Sequence, residues 1–170
     1  LDWVDSWDDG FGLMDEVDGF VLGGGMYPGY EAYWSAILAN PTGVLEFTGR
    51  PPREGEIAYA ARASQAPHVV LSTTMRSAQW PVTRIVRDIA GIREFKAAPG
   101  KDIHAIGGAA FVSSLFNDAL VDELRLLVHP IILGAGKALF RNVRARHTLA
   151  LRRAEPLQGG VVRLTYGVPA

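Results

Sequence analysis

Two places in this chain put consecutive glycines between a strand-like run and a helix-like run, a pattern that can hold a phosphate. The first is Asp102-Ile-His-Ala-Ile-Gly-Gly-Ala-Ala-Phe111, which runs directly into Val112-Ser-Ser-Leu-Phe-Asn-Asp-Ala-Leu120. An apolar run ends at Ile106, Gly107 and Gly108 follow, and Ala109, Val112, Leu115, Phe116 and Ala119 then recur at helical spacing. The first N–H groups of a helix have no partner within it, and the helix dipole adds partial positive charge at that end. Glycine lets a ligand come close because no Cβ intervenes. Ile106, Gly107, Gly108, Ala109, Ala110 and Phe111 are therefore candidate phosphate contacts. The second place is Leu22-Gly-Gly-Gly-Met26, ahead of the aromatic run Tyr27-Pro-Gly-Tyr-Glu-Ala-Tyr-Trp34. Gly23, Gly24, Gly25 and Met26 there can take the other end of one dinucleotide. A third strand-like run ends in Ser72, Thr73 and Thr74, whose hydroxyls can donate to phosphate or ribose oxygens. Each feature also has a purely structural reading: tight packing produces strand-Gly-Gly-helix junctions, and Ser/Thr clusters close turns. The Gly-x-Gly-x-x-Gly fingerprint of the Rossmann fold, with its following acidic residue, is absent.

Other residue types carry less chemistry. Tyr27, Tyr30, Tyr33 and Trp34 fall at helical spacing, where most should be core; Tyr30 and Trp34 are candidates to face an aromatic substrate. Four scattered histidines give no metal-ligand spacing, so no metal is expected, and His104 and His129 read as satisfied core histidines. Asp122 and Glu123 read as turn-fixing residues.

To position these residues the chain alternates apolar, β-branched runs with helix-period segments, which predicts an α/β domain spanning 1–170. Strands are expected near Gly19 to Leu22, His68 to Ser72, Thr83 to Val86, Asp102 to Ile106, Glu123 to Ile131, His147 to Ala154 and Val161 to Val168. Helices are expected at Asp8 to Glu16, Tyr30 to Leu38, Glu54 to Ala63, Asp88 to Phe95 and Ala109 to Asn117. The last two strands are joined by turn residues Gln158-Gly-Gly160 with no crossover helix, so they should be antiparallel, giving a mixed sheet. Asn40 to Gly55, rich in Pro and Gly, reads as a surface loop.

Composition narrows the partners. With 17 basic and 18 acidic residues, net charge −1 and no basic run, nucleic acid is not an expected partner. The chain has no cysteine, which excludes disulfides and thiolate catalysis; together with the lack of a signal peptide or long apolar span, this fits a soluble cytoplasmic protein away from membranes. The opening residue is Leu, so the sequence is expected to begin inside a longer polypeptide.

The ordered blocks Asp18-Gly-Phe-Val-Leu-Gly-Gly-Gly-Met-Tyr-Pro-Gly-Tyr-Glu-Ala-Tyr-Trp34, His68-Val-Val-Leu-Ser-Thr-Thr74, Ile103-His-Ala-Ile-Gly-Gly-Ala-Ala-Phe111 and Leu120-Val-Asp-Glu-Leu-Arg-Leu-Leu-Val-His-Pro-Ile-Ile-Leu-Gly-Ala-Gly-Lys-Ala-Leu-Phe140 resemble the dihydrofolate reductase superfamily. More narrowly they are similar to stand-alone proteins related to the reductase (C-terminal) domain of riboflavin biosynthesis. The resemblance implies a three-layer αβα sandwich with a mostly parallel central sheet and an antiparallel C-terminal hairpin. It also implies NADPH, or NADH, as cofactor and hydride delivery to a C=N-type bond of a small pterin- or pyrimidine-like heterocycle. Gly107 and Gly108 would then contact the cofactor's phosphates, with the Gly23 junction and Ser72 to Thr74 on its adenosine side.

The same resemblance places a proton-donating acid on the helix before the first junction, at Asp8 or Asp9, and lets Leu133 and Gly134 in Leu133-Gly-Ala-Gly-Lys137 approach substrate. The reading that those two acids merely favour a helix N-terminus by charge outweighs the catalytic one, and the glycine loop can equally be a plain turn. The chain departs from the family in two ways. Gly24, Gly25 and Met26 stand where a Gly-Arg-x-Thr pattern is common, so recognition of a 2′-phosphate would fall to Arg76 or Arg87 from a neighbouring strand end. The family's opening strand and its Ser-Leu-Asp-Gly-like loop have no counterpart here. No deaminase zinc motif accompanies the reductase-like blocks. A non-catalytic nucleotide-binding or regulatory domain that keeps the fold is the competing reading, and the long C-terminal strands favour a homodimer.

Overall fold

The computed structural model describes residues 15–169. They fall into two compact units that divide in the chain between Ile106 and Gly107.

In the first unit four strands pair in parallel, in the order β3 (Thr83–Val86), β2 (His68–Leu71), β1 (Val17–Gly23), β4 (Asp102–Ile106). The registers align the strand ends: Gly23 lies opposite Leu71, Leu71 opposite Val86, and Leu22 opposite Ile106. All four C-terminal ends therefore reach one edge of the sheet, where α/β folds bind ligands. Strand β1 is buried on both faces, as the centre of a parallel sheet must be. A bulge between Val17 and Gly19 sets Asp18 apart from the ladder, and its carboxylate accepts the Lys101 N–H at 2.9 Å.

Helices cover both faces. Phe20, Leu22 and Val70 pack with Tyr27, Tyr30, Trp34 and Ile37 of α1 (Tyr27–Ala39) and with Ala60 and Ala63 of α2 (Glu54–Ala63). On the other face α3 (Ile89–Ala97) comes so close that a Cβ on Gly91 would lie 2.5 Å from Val86, and one on Gly19 would lie 2.8 Å from Phe95. The expected three layers are thus present within this unit. Helix α1 begins three residues ahead of the sequence expectation because Pro28 sits in its first turn, where a missing N–H costs nothing. Helix α2 starts on a capping arrangement, with Glu56 accepting the Arg53 N–H at 2.7 Å.

Strands β2 and β3 are parallel neighbours, yet residues 72–82 between them contain no helix. Trp80 fills the place of a crossover helix by entering the core at 8% exposure. Glu31 of α1 fastens it there, one oxygen accepting the N–H groups of Gln79 (2.8 Å) and Trp80 (2.7 Å) and the Tyr27 hydroxyl (2.8 Å).

In the second unit α4 (Ala109–Asn117) is followed by an antiparallel sheet of order β5 (Glu123–Val128), β7 (Val162–Gly167), β6 (Ala150–Pro156). The antiparallel C-terminal hairpin turns at Gln158–Gly160, with Gly159 and Gly160 at φ 73° and 75°. Glu155 and Arg163 face each other across it and pair at 2.8 Å. Strand β5 stops at Val128, short of the expected Ile131, because Pro130 cannot donate to a ladder. Strand β6 starts at Ala150 rather than His147, where residues 140–147 instead meet the end of α4: Phe116 contacts Phe140 and His147 edge-on, and Asn117 accepts the Arg144 N–H at 2.8 Å. The sequence leads to one mixed sheet; hydrogen bonding separates its parallel and antiparallel parts into two. No described helix is long and apolar enough to cross a membrane.

Candidate active site

Both glycine junctions are built alike. In each, one glycine is consumed by internal packing and the next is open. A Cβ on Gly24 would lie 2.4 Å from Ser72 Cβ and 3.2 Å from the Leu71 carbonyl, so glycine there lets the ends of β1 and β2 close together, sealed by the Gly24 N–H on Leu71 O at 2.9 Å. A Cβ on Gly25 would meet nothing within 4 Å. In the second unit a Cβ on Gly107 would strike the Phe111 ring at 2.4 Å, whereas one on Gly108 would meet nothing within 4 Å. Gly108 is the N-cap of α4 and contributes no side-chain cap; the Val112 N–H is the first to bond back, to Gly108 O at 3.1 Å. The N–H groups of Ala109, Ala110 and Phe111 precede it at the open helix start.

At the edge of the parallel sheet the Ser72 hydroxyl closes a turn, accepting the N–H groups of Thr74 (3.3 Å) and Met75 (3.0 Å). Thr73 and Thr74 are exposed beside it, as is Met26. Arg87, the first residue after β3, reaches over this turn. Its Nη1 donates to the carbonyls of Ser72 at 2.6 Å and Met75 at 2.7 Å. Asp88 beside it caps α3 by accepting the N–H groups of Ala90 and Gly91.

Several expected site residues sit elsewhere. Tyr30 (7% exposed) and Trp34 (1%), expected to face a substrate, are buried core side chains: they belong to the cluster of Tyr27, Tyr59, His68 and Trp80 beneath the sheet face, where helical spacing and the apolar strand face drive them. Burial raises the Tyr30 phenol far above its usual range, and the Tyr27 phenol likewise; it pushes Tyr59 up to about 12. These groups stay neutral and exchange no protons near neutrality. Burial lowers the His68 pKa; its ring stacks on Phe20 at 4.8 Å and its Nδ1 lies 2.8 Å from Ala66 O. Leu133 (57% exposed) and Gly134, at φ 74°, lie on an exposed loop of the second unit, as does Lys137. Asp8 and Asp9, with nearly all of the helix expected at Asp8 to Glu16, lie outside the described residues.

Two structural carboxylates escaped the sequence reading. Glu31 is one; Glu56, buried, receives a two-pronged pair from Arg50 at 2.8 and 2.9 Å, which holds its pKa below the usual carboxylate value and ties the 40–55 loop to α2. The available signal was an acid on an otherwise apolar helix face.

Residues 36–163 match the RibD C-terminal domain. The chain belongs to that family. Its relatives include an uncharacterized Bacillus subtilis (strain 168) protein, YyaP, 41% identical over 75 residues, a stretch covering 44% of this chain and 40% of that protein. Among solved structures, a Shewanella sp. PV-4 protein named for riboflavin biosynthesis superposes with a TM-score of 0.68 at 20% identity, over 100% of this chain and 88% of that one. A pyrimidine reductase-like protein of Corynebacterium diphtheriae gives 0.55 at 15% identity, over 98% and 83%. The Thermotoga maritima diaminohydroxyphosphoribosylaminopyrimidine deaminase/5-amino-6-(5-phosphoribosylamino)uracil reductase gives 0.59 at 14% identity, over 98% of this chain and 50% of that one. These likenesses establish the dihydrofolate reductase-like fold, and the family's members include reductase-like enzymes.

Proposed function

We propose that this RibD C-terminal domain protein is a pyridine-nucleotide-dependent reductase that transfers hydride from NADPH to a C=N-type bond of a small pterin- or pyrimidine-like heterocycle. The observation that carries this reading is the repeated junction, in which Gly25 and Gly108 are left open after Gly24 and Gly107 have met the packing requirement. Backbone N–H donors at an open helix start suit a pyrophosphate, and, taken separately in the first unit, exposed threonine hydroxyls suit a ribose. When bound, the nicotinamide supplies the hydride from its C4. In this reading the N–H groups of Ala109, Ala110 and Phe111 hold the phosphates. The nitrogen of the reduced bond needs a proton, which the proposal assigns to a carboxyl at Asp8 or Asp9 or to an ordered water. The protein is proposed to work in the cytoplasm, as a homodimer acting on a small molecule.

Titration with NADPH and NADH, followed by nicotinamide fluorescence, tests the reading. Saturable binding below the millimolar range is expected, and its absence for both nucleotides overturns the proposal. Binding without oxidation of NADPH by any pterin or pyrimidine would instead support a nucleotide-binding domain without catalysis. That alternative draws on the missing arginine at the first junction.

A further inference from the structure

Between Glu123 and Glu155 the chain carries no acid, yet it holds Arg125, Arg141, Arg144, Arg146, Arg152 and Arg153. The two flanking glutamates are taken up within the antiparallel sheet: Glu123 pairs with Arg125 and Arg152, and Glu155 with Arg153 and Arg163. No carboxylate among the described residues pairs with Arg141, Arg144 or Arg146. Nor does the nearby end of α4 call for a cation. The carbonyls of Ser114, Leu115 and Phe116 accept the N–H groups of Asp118, Leu120 and Ala119 at 3.0–3.2 Å, so the chain caps its own helix.

One of these arginines lines a cavity of about 500 Å³ within the second unit, beside the end of α4 and the residues that lead into β5 and β6. Phe116, Val121 and Val168 give it an apolar floor, and the exposed Arg146, His147 and Thr148 give it a polar rim. Asp122, the one acid among the described residues lining it, has an interaction of its own within the protein. The walls are held in place. Asn117 clamps the segment that carries the rim, its amide nitrogen donating to Asn142 O at 3.0 Å and its amide oxygen accepting the Arg144 N–H at 2.8 Å. The His147 ring meets Phe116 edge-on at 5.4 Å, and the Val168 N–H donates to Asp122 O at 2.8 Å. A preformed, mostly apolar space with a few polar groups is the usual form of a small-molecule site. Its aromatic floor suits a ring, and an unpaired guanidinium suits the two oxygens of a carboxylate.

We infer that this cavity binds a small aromatic carboxylate, its ring on Phe116, Val121 and Val168 and its carboxylate on Arg146, with the Thr148 hydroxyl as a further donor. No junction glycine lines the cavity, so the inference does not depend on the dinucleotide reading. The test titrates wild-type protein, Arg146→Ala and Thr148→Trp by calorimetry with naphthoate, the neutral naphthylmethanol and the cationic naphthylmethylamine. Arg146 is exposed and unpaired, so its removal leaves the fold intact; Thr148→Trp fills the cavity from its rim, and Arg146→Glu takes its place if it unfolds. Wild type is expected to bind naphthoate saturably below the millimolar range, at least about tenfold more tightly than either control, the range of one charge-assisted pair. Arg146→Ala should erase that preference while holding naphthylmethanol within about twofold, Thr148→Trp should weaken both compounds, and Arg146→Glu should abolish naphthoate binding. No saturable naphthoate binding by wild type, equal binding of the three compounds, a tighter hold on the amine, or naphthoate affinity unmoved by the substitutions overturns the inference.

Discussion

Glu31 gives the most demanding test of how the strand-end edge is held. Its Oε1 accepts three hydrogen bonds at 5% exposure, and two of them fix the 72–82 connection that has no helix of its own. In Glu31→Ala the Trp80 N–H is left buried, at about 2 kcal/mol. The Gln79 N–H belongs to an exposed residue and regains water, so its loss costs about 1 kcal/mol. The Tyr27 hydroxyl keeps its 2.5 Å contact with Thr83, and its share is roughly 0.5 kcal/mol. With less than about 1 kcal/mol for the buried methylene, the expected loss is about 3.5–4.5 kcal/mol. Glu31→Gln keeps the acceptor and removes only the charge, which roughly halves such bonds, so about 1–2 kcal/mol is expected. Urea unfolding followed by far-ultraviolet circular dichroism measures both, with a midpoint drop of about 2 M for Glu31→Ala at a slope near 2 kcal/mol/M. A Glu31→Ala variant within about 1 kcal/mol of wild type would refute the claim that this carboxylate fastens the helix-free connection.

Two further predictions follow from named contacts. Gly107→Ala should cost about 1–3 kcal/mol because the new Cβ must displace the Phe111 ring, whereas Gly108→Ala should cost about 1 kcal/mol or less, as a poorer N-cap in open space; paired urea midpoints decide between them. Stability should fall with acid: burial depresses the His68 pKa below 6.5, so the unfolded chain takes up its proton first and the loss begins as pH drops through 6.5. The Arg50-paired Glu56 adds a second loss below 4.5, and urea midpoints from about pH 8 to about pH 4 that stay flat would contradict both assignments.

Much of the scaffold was legible. Glu54–Ala63, Thr83–Val86, Asp102–Ile106 and Ala109–Asn117 stand where periodicity puts them, since each is bounded by an unambiguous turn or cap. The ends that moved involve residues with two readings: Pro28-Gly29 looks like a turn yet opens α1, and His129-Pro130 continues an apolar run yet stops β5. The site was legible only as a set of residue types. Which glycine faces a ligand depends on what packs against it from another strand or the next helical turn, as Ser72 does for Gly24 and Phe111 for Gly107. Whether Tyr30 and Trp34 face a substrate depends on Trp80 arriving from a distant segment. Pairings across 48 or 49 positions, such as Glu31 with Gln79 and Trp80, leave no local trace.

The placement of β1 has a consequence for synthesis. This strand is central in its sheet, yet both neighbours come later, and the pairing of Val17 with Asp102 closes only when the far end of the unit has been made. While residues 68–101 emerge, β1 can gain β2 on one side but must leave its other side unpaired. That side is an apolar edge of the kind other nascent chains can join. Long-range parallel pairing also makes this step slow relative to helix formation in α1 and α2. The five residues of β4 therefore act as a release point: once Ile106 has left the ribosome, the sheet that carries the strand-end edge can close.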